Sequence, residues 1–425
     1  MATKKTVLTK DKIVSYYMDH VVEHNEKPKS IYQFAKNNGF SEAEFYTFFG
    51  TLEAIEKEIF IQFFDKTIEL LEKTIQKEKL TNAQKGLLYN NLGSNYFLNT
   101  RATKMKSYAF ENAEKAFLKA VFLLEREPSQ HEALTNSYRN LCKLNLERKN
   151  KQMALHYFEK AKHTFEKIPN PNPRKKAQFY FDEANMLFKQ REITASSLAI
   201  ERVFKTLIPA YSSAKTVLPN QSALYAETIL LDVLDLQAEL FLTQSQPKKA
   251  LESYALAFHI EALFQSLLVY ENSKIIIQIR NRNRTERCIA IYQSLFQKEN
   301  KKNYLESAFL LAEKTKSIVL KANLNLKKFQ SHEEKLLLEQ LQNHNTIIVK
   351  EQQKGATAAI SKINDALKKQ NELMLLLKET QSKKGNTTKT EIDLKELYTK
   401  LEKDNSILIE YFSGNDKTYS LTLTD

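Results

Sequence analysis

The chain has 425 residues, of which 42% are hydrophobic and 27% charged, a balance that fits folded domains and not a disordered chain. Only 7 glycines occur, none between Gly93 and Gly355, so a glycine-rich loop cradling a nucleotide phosphate is excluded on composition. The formal charge is +13: residues 1–80 carry 12 basic against 13 acidic side chains and residues 327–425 carry 16 against 15, so the whole excess falls in residues 81–326 and points to an acidic partner there.

The length suggests about two to four domains. The opening stretch, MATKKTVLTKDK, lacks the apolar core of a secretory signal. No run of 18 uncharged apolar residues occurs, so no membrane partner is expected. Cys142 and Cys288 each sit in an apolar helical pattern, which predicts two buried thiols in a reducing cytoplasm and no disulfide or zinc framework.

Residues 1–78 read as a helical head. Thr9 caps a helix to about His24 with the stripe Ile13, Tyr16, Tyr17, Val21 and Val22. Ser30 caps a short helix over 31–37, Asn38-Gly39 stops it, and Ser41 opens another over 42–49. In that helix Phe45, Tyr46, Phe48 and Phe49 are candidates for burial, and Thr51 caps a long fourth helix to about Lys77. Helix, short helix, turn, short helix is a helix-turn-helix arrangement. The segment FAKNNGFSEAEFYTFFGTLEAIEKEIF resembles the DNA-binding head of TetR-type repressors through Phe34-Ala35, Gly39, Ser41, Tyr46 and Phe49. The resemblance implies DNA contact through residues 30–50, with Ser41, Glu42, Glu44 and Tyr46 at the groove-facing start. Against this, the head carries no basic excess, and Glu42 and Glu44 would repel phosphate. Ser41 and Glu44 also have capping-box spacing, a structural reason for Glu44. A fold kept for homodimerisation or partner contact is the alternative.

Residues 81–326 contain a two-helix repeat. The clearest copy starts near Thr135, with Tyr138, Leu141 and Cys142 on its first helix and Ala154, Phe158 and Ala161 on its second. Other copies use Tyr89, Leu92, Gly93 and Tyr96 with Ala113, Phe117 and Ala120, and Leu234, Ala238 and Phe241 with Ala250, Tyr254 and Ala257. A degenerate unit has Tyr180, Ala184, Leu187, Ser196, Ile200 and Val203, and a last pair has Ile289, Ile291, Tyr292 and Leu295 with Ala308, Phe309 and Ala312. Small residues where helices cross, flanked by large ones, resemble the tetratricopeptide repeat. That resemblance implies an α-solenoid with a concave groove that binds a protein or peptide. Candidate basic lining residues are Arg139 and Lys143, then Arg174, Lys175 and Lys176, then Arg280, Arg284 and Arg287, the last three on one helical face.

Residues 327–390 read as a helical hairpin or short coiled coil that packs on itself or on the repeats. Gly355 marks its turn, and Ile360, Ile363, Leu367, Met374 and Leu377 keep near-heptad spacing. Gly385-Asn386 breaks the second helix and a short one follows over 392–404. Alternation at Ile407, Ile409 and Tyr411, then at Tyr419, Leu421 and Leu423, predicts a β-hairpin around Ser413–Lys417. Such a hairpin is marginal alone. From about residue 220 the chain resembles the repeat region preceding a CHAT domain, the caspase-like peptidase fold. SAFLLAEKTKSIVL is similar to its last repeat helix and LIEYFSGNDKTYSLTLT to the first hairpin of the peptidase. The resemblance implies that residues 391–425 begin a CHAT domain whose catalytic His and Cys lie downstream, so neither role falls on a residue of this chain.

The expected fold is therefore all-α: a helix-turn-helix head, an α-solenoid, a helical hairpin and a terminal β-hairpin. No catalytic set, metal motif or cofactor is expected. The leading expectation is a bacterial cytoplasmic scaffold that binds a protein or peptide in a basic groove. Its alternatives are a TetR-like DNA-binding regulator and a truncated or split CHAT cysteine peptidase without its dyad.

Overall fold

The computed structural model describes residues 7–24, 27–77, 79–100, 106–127, 129–212, 216–267, 271–316, 332–354, 359–383 and 392–424. Among them are 17 α-helices and one two-stranded antiparallel sheet at the end, the all-α fold expected with its terminal hairpin. Gly355, Gly385-Asn386 and most of the insertion at 99–106 lie outside the described residues. Two compact units divide the chain: Met1–Asn170 with Gln340–Gln370, and Pro171–Glu339 with Asn371–Asp425.

The first unit opens with α1 (Lys10–His24), α2 (Ile31–Asn37), α3 (Glu42–Tyr46) and α4 (Leu52–Ile75). Ser30, Ser41 and Thr51 cap α2, α3 and α4 by accepting from backbone N–H groups three residues on. Phe34, Phe45, Phe49, Ile13, Val14, Tyr17 and Ile55 form the head's core. The third helix is shorter than its sequence suggests. It ends at Tyr46, and the turn after it buries Phe49 but leaves Tyr46 and Phe48 exposed.

Then follow α5 (Asn82–Asn99), α6 (Lys106–Leu124), α7 (His131–Glu147) and α8 (Lys151–Phe165), which pair α5 with α6 and α7 with α8. The second unit continues with α9 (Pro173–Gln190), α10 (Ile193–Leu207), α11 (Thr228–Thr243), α12 (Pro247–Leu267), α13 (Glu271–Glu299) and α14 (Lys302–Thr315), again in consecutive pairs. Beyond them are α15 (His332–Gln353), α16 (Ile360–Lys383), α17 (Leu394–Lys403), β1 (Leu408–Ser413) and β2 (Thr418–Leu423). In the first unit α15 touches α1: Gln342 Nε2 donates to the Val22 carbonyl at 3.3 Å, and Lys350 lies 3.6 Å from Glu23. Of the heptad positions, Leu377 is buried and Ile363 half-buried; the side chains of Ile360, Leu367 and Met374 lie outside the described residues.

The pairs share one construction. Cys142, Ala184 and Ala238 are buried on first helices, and Ala154, Ser196 and Ala250 are buried on second helices. Lys149, Arg191 and Ser245 each follow the first small residue at the same interval and take a left-handed φ of 60°, 71° and 59°. The next residue's N–H then bonds five residues back: Asn150 to Asn145, Glu192 to Leu187 and Gln246 to Phe241, at 2.9, 2.9 and 2.8 Å. This is a Schellman stop, and it turns the chain back at the same point in these three pairs. Closeness is needed at the crossing. A Cβ built on Gly93 would lie 2.6 Å from Phe117 Cδ1, and Phe117 is fully buried. Ser196 Oγ donates to the Ala184 carbonyl and Ser253 Oγ to the Leu234 carbonyl, both at 2.8 Å, which satisfies each hydroxyl across its crossing.

The β-hairpin is not isolated. Its register, Leu408 with Leu423, Glu410 with Leu421 and Phe412 with Tyr419, sets these residues on one face. Phe412 packs with Ile289, Ala308 and Ala312, while Leu423 packs with Phe309 and Leu401. In β1 the inward parity is the opposite of the alternation expected. Ile407, Ile409 and Tyr411 are exposed, whereas Glu410 is buried and held by Lys316 Nζ at 2.8 and 3.0 Å. That ion pair lets a carboxylate occupy an inward position.

Because a β-carbon costs energy at left-handed φ, Arg191→Gly and Ser245→Gly are each expected to raise unfolding stability by about 1 kcal/mol. Gly93→Val should lower it by about 1–3 kcal/mol through overpacking against Phe117. Thermal unfolding of the three variants checks both signs.

Candidate functional site

The candidate DNA-facing residues are largely engaged within α3. Ser41 Oγ accepts from the Glu44 N–H, while Glu44 Oε2 accepts from the Ser41 N–H at 2.8 Å, a complete capping box. Glu42 Oε1 accepts from the Tyr46 hydroxyl at 3.3 Å. The chemistry presented there is acidic and aromatic.

On α9, Arg174 Nε donates to Glu227 Oε2 at 2.9 Å and Nη2 to Thr228 Oγ1 at 3.2 Å, so it ties α9 to the start of α11. Lys175 is exposed on α9. Lys176 Nζ lies 5.9 Å from the centre of the Tyr180 ring.

The arginine face of α13 is an internal ion cluster. Arg284 is only 2% exposed. Its Nε and Nη2 donate to the two oxygens of Asp235 at 2.7 and 2.8 Å, a forked pairing that fixes the guanidinium plane. Its Nη1 donates to Asn281 Oδ1 at 3.0 Å. The same nitrogen lies 2.8 Å from Glu261 Oε1, a contact of charges and not an aligned hydrogen bond. Arg280 pairs with Asp232 and Asp235, and Arg287 pairs with Glu239. Burial pushes the Asp232 and Glu261 carboxyls above the usual carboxylate range, against the pull of Arg280 and Arg284. Burial alone would lower the Arg284 pKa, but Asp235 and Glu261 raise it overall, so this guanidinium stays charged. The three arginines thus join α13 to α11 and α12, and Arg284 offers no charge to a partner. Their partners lie at i, i+3 and i+7 on α11 (Asp232, Asp235 and Glu239) and the arginines at i, i+4 and i+7 on α13, so each set shares one helical face; that pairing of faces was the signal in the sequence.

Glu286, which lies between Arg284 and Arg287 on α13, holds the β-hairpin. Its buried carboxylate accepts from the N–H groups of Asn415, Asp416 and Lys417 at 2.6, 3.1 and 2.8 Å. A Cβ on Gly414 would fall 2.2 Å from the Glu286 carboxyl carbon, so only glycine allows this approach. Arg282 Nε donates to the Ser413 carbonyl at 2.7 Å.

Arg139 and Lys143 lie on α7 in the first unit, both half-buried. Arg139 Nη1 donates to Asn136 Oδ1 at 2.9 Å. Beside them, Asn140 and Ser137 of α7 meet Asn90 and Ser94 of α5 in a polar network. The asparagines of this network did not stand out in the sequence, because Asn is common on helix surfaces and the facing pairs are 46 to 50 residues apart.

Both thiols are buried, and burial pushes Cys288 up to about 12, so it is held as an unreactive thiol. Among the described residues no group of three or more His, Cys, Asp or Glu side chains is arranged to hold a metal ion. Nor is any helix among them long and apolar enough to cross a membrane. Comparison with protein-family models gives no match for this chain, and comparison with curated protein sequences gives no significant one.

Arg284→Met strands Asp235 and Glu261 without their shared cation, and is expected to cost about 3–5 kcal/mol of stability. Glu261→Gln should cost far less, since Arg284 keeps its forked pairing with Asp235. Denaturant titration of the two variants tests the ranking; equal losses would contradict it.

Proposed function

We infer that this protein is a binding scaffold of the tetratricopeptide kind, which takes a protein or peptide partner with acidic side chains and catalyses no reaction itself. Support comes from the series of two-helix units closed by one turn geometry, since such units present first-helix side chains side by side. The observation that carries the reading is the repeated turn, with Lys149, Arg191 and Ser245 closing three successive pairs at one interval. Arg174, Arg280, Arg284 and Arg287 each have a carboxylate partner within the second unit. Arg139 donates to Asn136 within α7. The basic excess of residues 81–326 supports a partner with acidic side chains, and α7 is the candidate surface for it. The head's acidic, self-capped α3 makes DNA contact the weaker reading.

Peptide display against the full-length chain should enrich acidic sequences whose affinity falls severalfold as salt rises. Arg139→Gln combined with Lys143→Gln should weaken the enriched peptides, whereas Arg280→Gln combined with Arg287→Gln should leave them nearly unchanged. Enrichment of neutral or basic sequences, or none, would refute the reading.

A further inference from the structure

The second helix of the first pair, α6, has apolar side chains on two opposite faces. Ala113, Phe117, Ala120 and Leu124 are fully buried on one of them. The other carries Lys115, Leu118, Lys119 and Phe122, with Arg126 just past the helix end. Steps of three and four residues set these five in one line about 17 Å long. All are exposed, Leu118 at 43% and Phe122 at 47%, so the packing of the pair does not use them. Among the described residues, Lys115, Lys119 and Arg126 have no carboxylate partner. The acids of α6 are engaged elsewhere: Glu111 accepts from the Ser107 hydroxyl, Glu114 pairs with Arg148, and just past the end Glu125 accepts from the Tyr138 hydroxyl.

Two of the three cations rest on the ring. The Arg126 guanidinium carbon lies 4.0 Å and Lys119 Nζ 5.4 Å from the centre of Phe122. A guanidinium held against a ring is preorganised, yet its N–H edges stay open to a carboxylate. Positive charge is thereby fixed in the middle of an apolar strip.

This interleaving selects the occupant. A nucleic-acid base could stack on Phe122 only by displacing Arg126. A bilayer that received Phe122 would strip water from the cations covering it. A protein helix with carboxylates set among apolar side chains meets both kinds of group at once, and two helices packed side by side match residues at three- and four-residue steps.

We propose that the exposed face of α6 docks an acidic amphipathic helix of a partner protein. Leu118 and Phe122 cover its apolar side chains, while Lys115, Lys119 and Arg126 pair with its carboxylates. The surface lies on a different helix from the α7 candidate and goes beyond that reading.

The test uses the full-length chain and two fluorescein-labelled, lactam-stapled helical peptides of one composition, with equal numbers of glutamate and leucine on an alanine background, followed by fluorescence anisotropy. One peptide interleaves glutamate and leucine along a single face, and the other puts them on opposite faces. The interleaved peptide should bind about tenfold more tightly. Lys119→Glu combined with Arg126→Glu turns two attractions into repulsions and should weaken it by about tenfold. Lys395→Glu combined with Lys403→Glu makes the same charge change on α17 and should alter affinity by no more than about twofold. All four substituted side chains are exposed, and thermal unfolding confirms that each variant is folded. Equal affinity for the two peptides, no binding of either, or equal losses in both double variants would overturn the proposal. A loss confined to Arg139→Gln with Lys143→Gln would also overturn it and leave the α7 reading standing. A single-stranded oligonucleotide or phosphatidylserine vesicles may serve as competitors: if either binds more tightly than the interleaved peptide, and loses that binding in Lys119→Glu with Arg126→Glu, the face belongs to that class of partner and the proposal falls.

Discussion

The close crossing of the two helices in each pair is the contact on which the rest of the molecule depends. It demands a small residue on each helix and a large neighbour to fill the space beside them. Gly93 beside Phe117 is one case, because a methyl group there would enter the ring. Burying a side chain such as Phe117 is worth about 1.5–3 kcal/mol, so each crossing contributes measurably to a marginal total. At two crossings a serine hydroxyl donates to the facing helix's carbonyl, so a polar group is buried without an unmet bond. The shared Schellman turn then follows from distance. Once the small residues meet, the second helix must start within a few residues, and a left-handed residue is the short way to reverse the chain.

Ion pairs join helices in both units. In the second unit the basic residues hold structure: Arg284 is enclosed by Asp235, Asn281 and Glu261, and Arg280 and Arg287 reach further acids of α11. Burying such a cluster gains little net energy, but it penalises any other register of α13 against α11, since a one-residue slip would leave charges unpaired. In the first unit Arg148, just past α7, pairs with Glu114 of α6, while asparagines join α7 to α5. A net charge summed over residues 81–326 conceals such pairings, and the positions of the acids reveal them.

Much of the fold was legible because it repeats. Tyr138, Cys142, Ala154 and Phe158, and Ala238, Ala250 and Tyr254, are all buried as their spacing predicts. The caps at Ser30, Ser41 and Thr51 were equally readable, being local chemistry over three residues. Features that depend on residues far apart were not. The burial of Arg284 requires Asp235 and Glu261 from two other helices, and a helical row of arginines looks the same in solvent as in a core. The inward face of β1 was not readable for a similar reason. Ile407, Ile409 and Tyr411 are the more apolar set, but Lys316 neutralises Glu410 and the register brings Leu408, Glu410 and Phe412 onto α13 and α14. The asparagine network lay below notice, because its members come from two helices.

The hairpin shows how the second unit uses a carboxylate as a template. Three consecutive backbone N–H groups converge on Glu286, an arrangement that commonly receives an anion. Here the anion is the protein's own side chain, delivered by the same helix that carries the arginine cluster. Since the cluster fixes α13 against α11 and α12, it also fixes where Glu286 stands, and so where the turn at Gly414 can sit. Two short strands that would be marginal alone gain a defined position from this anchor and from the apolar contacts of Phe412 and Leu423. The outer row of Ile407, Ile409 and Tyr411 is thereby displayed on a rigid element. Order in the hairpin descends from charges buried a helix away.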